Sequence, residues 1–206
     1  MEIAPPLRKW PEMGLRDSTN QRFFMPAYLL LIAALLSRVL PHSGWFGFTA
    51  VGGSLLYFGA RRSWREMLLP VAALAAVDYY LTTYAYGYSF RAQDYLITWG
   101  WYLAAIALGH LLLAQRVTVL RVVSAAILGP TSFFLVSNYA AWLMLHNPGG
   151  MYAPNVGGLM TCFVAGLPFY QRDLVSTGLV LAIAFGIPAA VRRFDLHRAL
   201  PTHPAL

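Results

Sequence analysis

Long apolar runs without a charged residue constrain this chain more than any other feature of its sequence. The run 122–145 has 24 residues, 95–114 has 20 and 174–191 has 18. An α-helix needs about 20 residues to cross the roughly 30 Å of hydrocarbon in a bilayer. The strands of a membrane β-barrel are only about ten residues long and alternate in polarity. The runs therefore predict membrane-spanning helices and exclude a barrel.

The composition agrees with a protein that uses lipid as one of its solvents. Of the 206 residues, 58% are hydrophobic and 11% are charged, whereas soluble domains carry about a quarter charged residues. The same balance excludes a disordered chain. A single cysteine, Cys162, excludes a scaffold of intrachain disulfides. The sequence predicts an all-α integral membrane protein.

The apolar runs divide the chain into one transmembrane domain, 23–193, between two cytoplasmic tails, 1–22 and 194–206. The first run follows a basic flank, as the apolar part of a signal peptide does. It has 18 residues, however, and no small-residue cleavage site follows it, so we expect an uncleaved span. The six predicted spans are 23–40, 46–60, 67–86, 95–114, 122–145 and 174–191.

The segment 156–170 is the ambiguous part of the topology, because it is apolar but short and contains glycines and a proline. It is either a seventh span or an external helix at the membrane surface. With six spans, 12 basic residues lie inside and three, Arg38, Arg91 and Arg172, lie outside; with seven spans the split is 10 and five. Because basic loops stay in the cytoplasm, we expect six spans, both termini inside and an external cap, 146–172, with an interfacial helix between helices 5 and 6.

The net charge of +7 indicates orientation in the bilayer and not a nucleic-acid partner. The arginines lie in short clusters between apolar runs, and they form no basic stripe with interleaved aromatic residues of the kind that binds nucleic acid. The lipid bilayer is the partner that these clusters predict.

Asp78 is an acidic residue near the middle of the third predicted span. A carboxylate at the centre of a membrane helix costs about 3 kcal/mol, so it must be compensated. It either joins two helices, neutral or paired with an arginine, or it binds a ligand or a proton. Arg38, near the outer end of the first span, is its most plausible cationic partner.

The fifth span carries Thr131, Asn138 and Trp142, and positions 131, 134, 138 and 142 share one helical face. They either bind a polar ligand or make hydrogen bonds between helices. The outer ends of the spans are also richer in aromatic residues than the inner ends. This one-sided aromatic basin predicts an outward cavity for a bulky, partly flat ligand. Its members are Trp45, Phe46, Phe48, Tyr79, Tyr80, Tyr84, Tyr86, Tyr88, Trp99, Trp101, Tyr102, Tyr152, Phe169 and Tyr170.

Metal and catalytic motifs are missing from the sequence. No two histidines share a helical face with another ligand, so we expect no metal site, and Cys162 is a weak candidate ligand. His42, in the loop 41–44, completes the candidate binding residues with Asp78, Arg38, Tyr79 and Trp99. The chain has no P-loop, G-x-S-x-G or H-E-x-x-H motif, and we expect no enzymatic activity.

Small residues repeat every four positions on two spans, and such faces let helices approach closely in lipid. They either pack inside the bundle or form a docking face for another membrane subunit. The repeats are Gly178, Ala182 and Gly186 on the sixth span, and Gly100 with Ala104 and Ala105 with Gly109 on the fourth.

Several segments in order resemble a bacterial family of six-span membrane proteins over roughly 25–193. They are RVLPH at 38–42, FT at 48–49, GG at 52–53, Asp78 after the apolar run 68–77, FF at 133–134 with Asn138 and Trp142, and Cys162 with LPF at 167–169. That family is similar to the S components of energy-coupling-factor (ECF) vitamin transporters, including the solitary cobalamin-transporter type.

The resemblance implies a substrate-binding subunit of the bacterial inner membrane, with six helices, both termini cytoplasmic and a pocket open to the outside. Its ligand would be vitamin-like, with a cobalamin-like molecule as one candidate, and an ECF-type energising module would be a partner. The stretch 78–82, where the cobalamin type has a cobalt-ligating cysteine, contains none. The alternative function is a non-transporting subunit that packs against a larger membrane complex.

Overall fold

A computed structural model of the chain describes residues 15–40, 49–147 and 149–199, with side chains over 25–40, 49–147 and 149–194. These residues form helices and no β-strand. Short helical turns at Trp64–Glu66, Leu81–Ala85 and Ala92–Tyr95 flank the third and fourth helices. The helices are α1 (Leu15–Val39), α2 (Val51–Arg61), α3 (Leu68–Tyr80), α4 (Leu96–Leu113), α5 (Val119–Leu145) and α6 (Val156–Ala199).

Four continuous helical segments are long and apolar enough to cross a membrane, which makes the chain a multi-pass membrane protein. They are Trp64–Ala85, Ala92–Leu113, Val119–Leu145 and Val156–Phe194. The apolar part of α1, Met25–Val39, is shorter. The 11 residues of α2 reach only about 16 Å, which is about half of the roughly 30 Å of hydrocarbon in a bilayer.

Hydrogen bonds, an ion pair and a ring contact between helices show that α1, α3 and α5 run in one direction and that α2, α4 and α6 run in the other. The pairs that fix these directions are Tyr28–Glu66 and Arg38–Asp78 for α1 with α3, Leu30–Ser54 and Ser37–Ala50 for α1 with α2, Asp78–Trp99 and Trp64–His110 for the third and fourth segments, Leu112–Arg121 and Trp101–Ser132 for α4 with α5, and Thr131–Tyr170 and Asn138–Cys162 for α5 with α6.

The helix α2 is the centre of the bundle, and its residues 51–60 are all buried. Two glycines bring its backbone against that of the parallel helix α4. A Cβ on Gly59 would lie 1.9 Å from the carbonyl oxygen of Ile106, and a Cβ on Gly109 would lie 2.0 Å from that of Leu56. Only glycine fits at these two positions, as in other closely packed membrane helices.

The small-residue repeats differ in what they contact. Ala105 and Gly109 are buried in the bundle, which confirms internal packing for that pair. Among the described residues, no atom outside its own helix lies within 4 Å of a Cβ built on Gly100, Gly178 or Gly186. The faces that contain these three glycines are therefore uncovered.

The predicted break between a cap, 146–172, and a sixth span, 174–191, is wrong. The helix α6 runs unbroken for 44 residues from Val156 to Ala199, with Pro168 and Pro188 inside it. Glycine and proline are tolerated in membrane helices, because neighbouring groups satisfy the backbone. An interfacial helix separate from α6 is therefore absent from the described part of 146–172.

Other span boundaries agree more closely with the sequence. The predicted spans 95–114 and 122–145 correspond to α4 and α5 within three residues at each end. The helix α1 begins at Leu15, eight residues before the predicted first span, because its polar first turns continue the helix beyond the apolar run. The predicted second span, 46–60, corresponds to α2, although 46–48 lie outside the described residues.

Candidate ligand-binding site

An ion pair between Arg38 and Asp78 joins α1 to α3. The Nη2 atom of Arg38 lies 2.6 Å from Oδ1 of Asp78, and the Asp78 side chain is 1% exposed. The indole Nε1 of Trp99, on α4, donates a hydrogen bond of 3.0 Å to Oδ2 of the same carboxylate. The prediction that Arg38 is the partner of Asp78 is confirmed. The carboxylate joins three helices.

Arg38 also contacts α4 directly and reaches the edge of a cavity. Its Nη1 donates a hydrogen bond to the hydroxyl of Tyr102, and its side chain is 23% exposed. Both Arg38 and Tyr102 line the cavity, whereas Asp78 lies behind them. The pair therefore presents its cation, and not its carboxylate, to the cavity.

The cavity has a volume of about 420 Å³ and lies between the last turn of α1, the first turns of α2 and α4, residues 130–141 of α5 and residues 166–173 of α6. Binding pockets for small molecules fall in the range of about 300–1,000 Å³ and combine apolar walls with few polar groups. The lining residues are Arg38, Thr49, Val51, Gly52, Thr98, Trp101, Tyr102, Pro130, Phe133, Phe134, Ser137, Asn138, Ala141, Gly166, Phe169, Tyr170 and Asp173.

Aromatic rings from three helices form the walls of this cavity. The ring centroids of Trp101 and Phe133 lie 4.5 Å apart, and those of Phe134 and Tyr170 lie 4.8 Å apart. The Tyr170 hydroxyl lies 3.0 Å from Oγ1 of Thr131, which thereby positions the ring from behind. The spacing and tilt of the rings suit contact with a flat apolar group.

Asp173, on α6, is the carboxylate that lines the cavity. The hydroxyl of Thr177 donates a long hydrogen bond of 3.4 Å to its Oδ1 atom. No ion pair involves Asp173 within the described residues, where salt bridges link Arg38 to Asp78 and Arg62 to Glu66. This carboxylate is therefore the strongest acceptor that the described lining offers.

The first turn of α2 packs closely against this part of α6. A Cβ on Gly52 would lie 2.6 Å from Oγ1 of Thr177 and 3.4 Å from Oδ1 of Asp173. Glycine at 52 thus leaves room for the hydroxyl that holds the carboxylate. On the other side of the cavity, Asn138 donates a hydrogen bond of 2.8 Å from Nδ2 to the Phe134 carbonyl oxygen.

The structure brings some predicted site residues to the cavity and leaves others outside it. Arg38 and Asn138 line it, Thr131 supports Tyr170, and Asp78 and Trp99 lie behind Arg38. Three predicted residues are elsewhere or undescribed. Trp142 donates a hydrogen bond to the Ala153 carbonyl oxygen, Tyr79 is 45% exposed and packs on Tyr84 and Phe90, and His42 lies outside the described residues.

Cys162, the weak candidate metal ligand, is buried between α5 and α6. It is 2% exposed, and its Sγ atom lies 3.3 Å from the carbonyl oxygen of Asn138. Over the described residues, no three His, Cys, Asp or Glu side chains are grouped closely enough to hold a metal ion.

The aromatic basin divides into residues that line the cavity and residues that do not. Trp101, Tyr102, Phe169 and Tyr170 line it. The tyrosines at the end of the third segment, Trp64–Ala85, and just after it are exposed on the outside of the bundle, as expected of side chains at a membrane interface. These are Tyr79, Tyr80, Tyr84, Tyr86 and Tyr88.

Sequence reasoning missed Asp173, because the residue lies next to Arg172, between the predicted cap, 146–172, and the predicted sixth span, 174–191. Its spacing from Thr177, one helical turn later, was the available signal, since residues i and i+4 share a helix face. Thr98 and Ser137, two further polar lining residues, have no distinguishing sequence pattern.

A sequence model of the family DUF6580, described as a family of unknown function, matches residues 17–200. No curated protein and no solved structure matches the chain.

Proposed function

This chain belongs to the family DUF6580, and we propose that it binds a vitamin-like small molecule from outside the cell for uptake across the cytoplasmic membrane. The observation that carries the proposal is the cavity of about 420 Å³, with aromatic walls and a half-buried arginine and a carboxylate on its lining. The chain is not an enzyme in this proposal. It is an S-component-like membrane subunit with six helices and both termini in the cytoplasm.

Successive helices that cross a membrane alternate in direction, so the alternating directions of α1 to α6 support six crossings. An even number of crossings returns the chain to its starting side, which supports termini on the same side. The arginines support the orientation. One end of the bundle, which we call the arginine end, holds the end of α2, the turn before α3 and the loop from α4 to α5. Basic loops stay in the cytoplasm, so the cavity, at the other end, faces outward. The arginines of this end are Arg61, Arg62, Arg65, Arg116 and Arg121.

The charges on the lining define the ligand more closely. The positive charge of Arg38 is compensated by Asp78 at 2.6 Å, so the pair adds little net charge to the cavity. Asp173 has no such partner within the described residues. A carboxylate in a low-dielectric site favours a cation or a strong hydrogen-bond donor. The ligand is therefore a flat, largely apolar molecule that carries a positively charged or N–H-rich group.

The same geometry favours a vitamin smaller than cobalamin. The volume is near the lower end of the range for small-molecule pockets. The thiol of Cys162, the weak candidate metal ligand, is directed at a backbone carbonyl and does not line the cavity. An ECF-type energising module remains the partner that the S-component resemblance supplies for transport.

Removal of the Asp173 charge tests the binding proposal. The protein is purified in detergent, and retained small molecules are identified and counted by mass spectrometry. We expect Asp173→Asn to retain the molecule about tenfold less, which corresponds to ~1.4 kcal/mol. Asp94→Asn is the matched control, because Asp94 is exposed in the turn before α4 and does not line the cavity.

The thermal unfolding of each variant separates lost binding from lost folding. Loss of the molecule in a variant that unfolds at the wild-type temperature supports a contact with Asp173. Equal retention by Asp173→Asn and wild type, or a wild type that retains only lipid and detergent, contradicts the proposal.

A second candidate function is a subunit that packs against a larger membrane complex. The observation that favours it is the uncovered face of α6 at Gly178 and Gly186, with Ala182 exposed between them. A bulky residue there, Ala182→Trp, should abolish co-purification of a stoichiometric partner. Val136→Trp, at an exposed position of α5, is the control. Absence of any partner from mildly solubilised wild type contradicts this candidate.

A further inference from the structure

Two side chains of opposite charge, Arg38 and Asp173, line the cavity of about 420 Å³. Within the described residues, the salt bridge of Arg38 is with Asp78 and not with Asp173. The two lining groups are therefore not in direct contact, and a ligand can meet each of them separately. Pockets of this size bury most of the surface of a small ligand, so one molecule contacts several walls of the cavity at once.

The guanidinium of Arg38 is held from two sides. Its Nη2 atom lies 2.6 Å from Oδ1 of Asp78, and its Nη1 donates a hydrogen bond to the hydroxyl of Tyr102. Both partners are almost fully buried, since Asp78 is 1% and Tyr102 is 2% exposed. A guanidinium carries five N–H groups in a planar fork, so these two contacts leave N–H groups for the cavity. Arg38 is therefore a preorganised hydrogen-bond donor on the lining.

The charges around Arg38 favour a neutral acceptor. Arg38 is the one basic residue among the described lining residues, and its charge is already compensated by Asp78. Asp173 is a second carboxylate on the same cavity. An anionic acceptor would bring a third negative charge into a site of low dielectric, where like charges repel strongly. A carbonyl oxygen accepts the same hydrogen bonds without a charge and is the acceptor that fits Arg38.

Trp101 connects the surroundings of the two charged groups. A Cβ on Gly52 would lie 3.6 Å from Cη2 of Trp101 and 3.4 Å from Oδ1 of Asp173. The far end of the indole and the carboxylate therefore reach the same turn of α2. Trp101 also precedes Tyr102, whose hydroxyl accepts the hydrogen bond from Arg38. The aromatic wall thus extends between the two polar groups, and such a wall suits a flat ring.

We propose that the ligand of this cavity is a flat nitrogen heterocycle with a ring carbonyl and an amino group. The carbonyl oxygen accepts hydrogen bonds from Arg38, and the amino group donates to Asp173. This assignment rests on the proposed binding function and adds Arg38 as a second residue that determines specificity. Sites built to hydrogen-bond a ligand reject analogues that lack the matching group, because the polar groups of the site are then left unpaired.

Three quinazolines that differ in one group each test this assignment. The compound 2-aminoquinazolin-4-one has both groups, 2-aminoquinazoline lacks the carbonyl oxygen, and quinazolin-4-one lacks the amino group. Isothermal titration calorimetry of the purified protein in dodecyl maltoside measures each Kd, after subtraction of the heat of partition into empty micelles. We expect wild type to bind 2-aminoquinazolin-4-one about tenfold or more tightly than either of the others, because each missing group leaves a charged side chain unpaired.

Variants assign each chemical group to its residue. Arg38→Lys keeps a positive charge beside Asp78 but removes the planar fork. It should weaken 2-aminoquinazolin-4-one about tenfold and leave 2-aminoquinazoline within about twofold of wild type. Asp173→Asn should weaken both aminated compounds and leave quinazolin-4-one within about twofold. The compound without the matching group thus controls for altered folding of the same variant. Arg91→Lys, at an exposed arginine outside the cavity, should leave all three affinities unchanged.

Three results would overturn the assignment. Two of them need no variant: equal affinity of wild type for the three quinazolines, and no measurable binding of 2-aminoquinazolin-4-one. The third is an Arg38→Lys protein that loses 2-aminoquinazoline as strongly as 2-aminoquinazolin-4-one, which would limit Arg38 to a structural role. The proposed binding and uptake function fails on a different observation, a wild type that retains only lipid and detergent. A wild type that retains a small molecule but does not distinguish the quinazolines therefore contradicts this assignment alone.

Discussion

At the scale of single residues, Asp78 shows how far sequence reasoning reached. Its cost in lipid required a partner, and the outer end of α1 offered Arg38, so the ion pair was predictable. The role of the carboxylate was not. A carboxylate that joins helices faces its neighbours, whereas one that binds a ligand faces the cavity. The sequence does not show which way Asp78 faces, because this depends on Trp99, whose indole donates a hydrogen bond to Asp78 from behind the cavity.

The ion pair makes the stability of the protein depend on both partners together. Asp78→Asn leaves the half-buried Arg38 cation without its counter-charge, so we expect a loss of up to about 3 kcal/mol in the free energy of unfolding. The double variant Arg38→Met with Asp78→Leu should recover most of that loss, because apolar pairs often replace buried ion pairs at little cost. Thermal unfolding in detergent measures both.

The sequence hypothesis that Asp78 contacts a ligand predicts a different result. In that case, Asp78→Asn would weaken ligand retention about tenfold while the unfolding temperature stays near wild type. The outcome that contradicts the structural role is therefore an Asp78→Asn protein of normal stability with reduced ligand content.

At the scale of helices, the long apolar runs predicted α4 and α5 well. Each run lies between polar loops, and polar residues are too costly in the hydrocarbon core to extend the span. The same reasoning failed for α6. Gly157, Gly158 and Pro168 were interpreted as breaks, yet the helix continues through them for packing against α5. Such residues break helices in water, but in a bundle their backbone groups are satisfied by neighbours.

The contact of α2 with α4 gives a prediction for two glycines on the same helix. Gly109→Ala places a Cβ 2.0 Å from the Leu56 carbonyl oxygen, so the helices must separate, and we expect a loss of about 1–3 kcal/mol or more in the free energy of unfolding. Gly100→Ala meets no described neighbour and should be neutral or stabilising by up to about 1 kcal/mol. Equal effects of the two substitutions on the unfolding temperature would show that α2 and α4 do not approach this closely.

At the scale of the whole molecule, the described residues line cavities at both ends of the bundle. The cavity beside Asp173 could be predicted in part, since Arg38, Asn138 and the aromatic residues of several span ends pointed to it. Its carboxylate, Asp173, was missed because the sequence analysis placed a break at that residue, where α6 is continuous. A second cavity, of about 520 Å³ and lined mainly by α1 and α6, could not be predicted, because these two helices are far apart in sequence.

The orientation of the molecule follows from the same distribution of charge and can be measured directly. In a Cys162→Ala background, single cysteines are placed at three exposed positions: Met151→Cys in the loop before α6, and Ser63→Cys and Phe194→Cys at the arginine end. With six crossings and cytoplasmic termini, a membrane-impermeant maleimide added to intact cells should label position 151 alone, and permeabilised cells should expose all three. The helix α6, about 66 Å long, is more than twice the thickness of the hydrocarbon core, so positions 151 and 194 cannot both lie on one side unless it lies flat. Labelling of position 194 in intact cells would therefore show the opposite orientation, with the arginine end outside and the cavity beside Asp173 facing the cytoplasm.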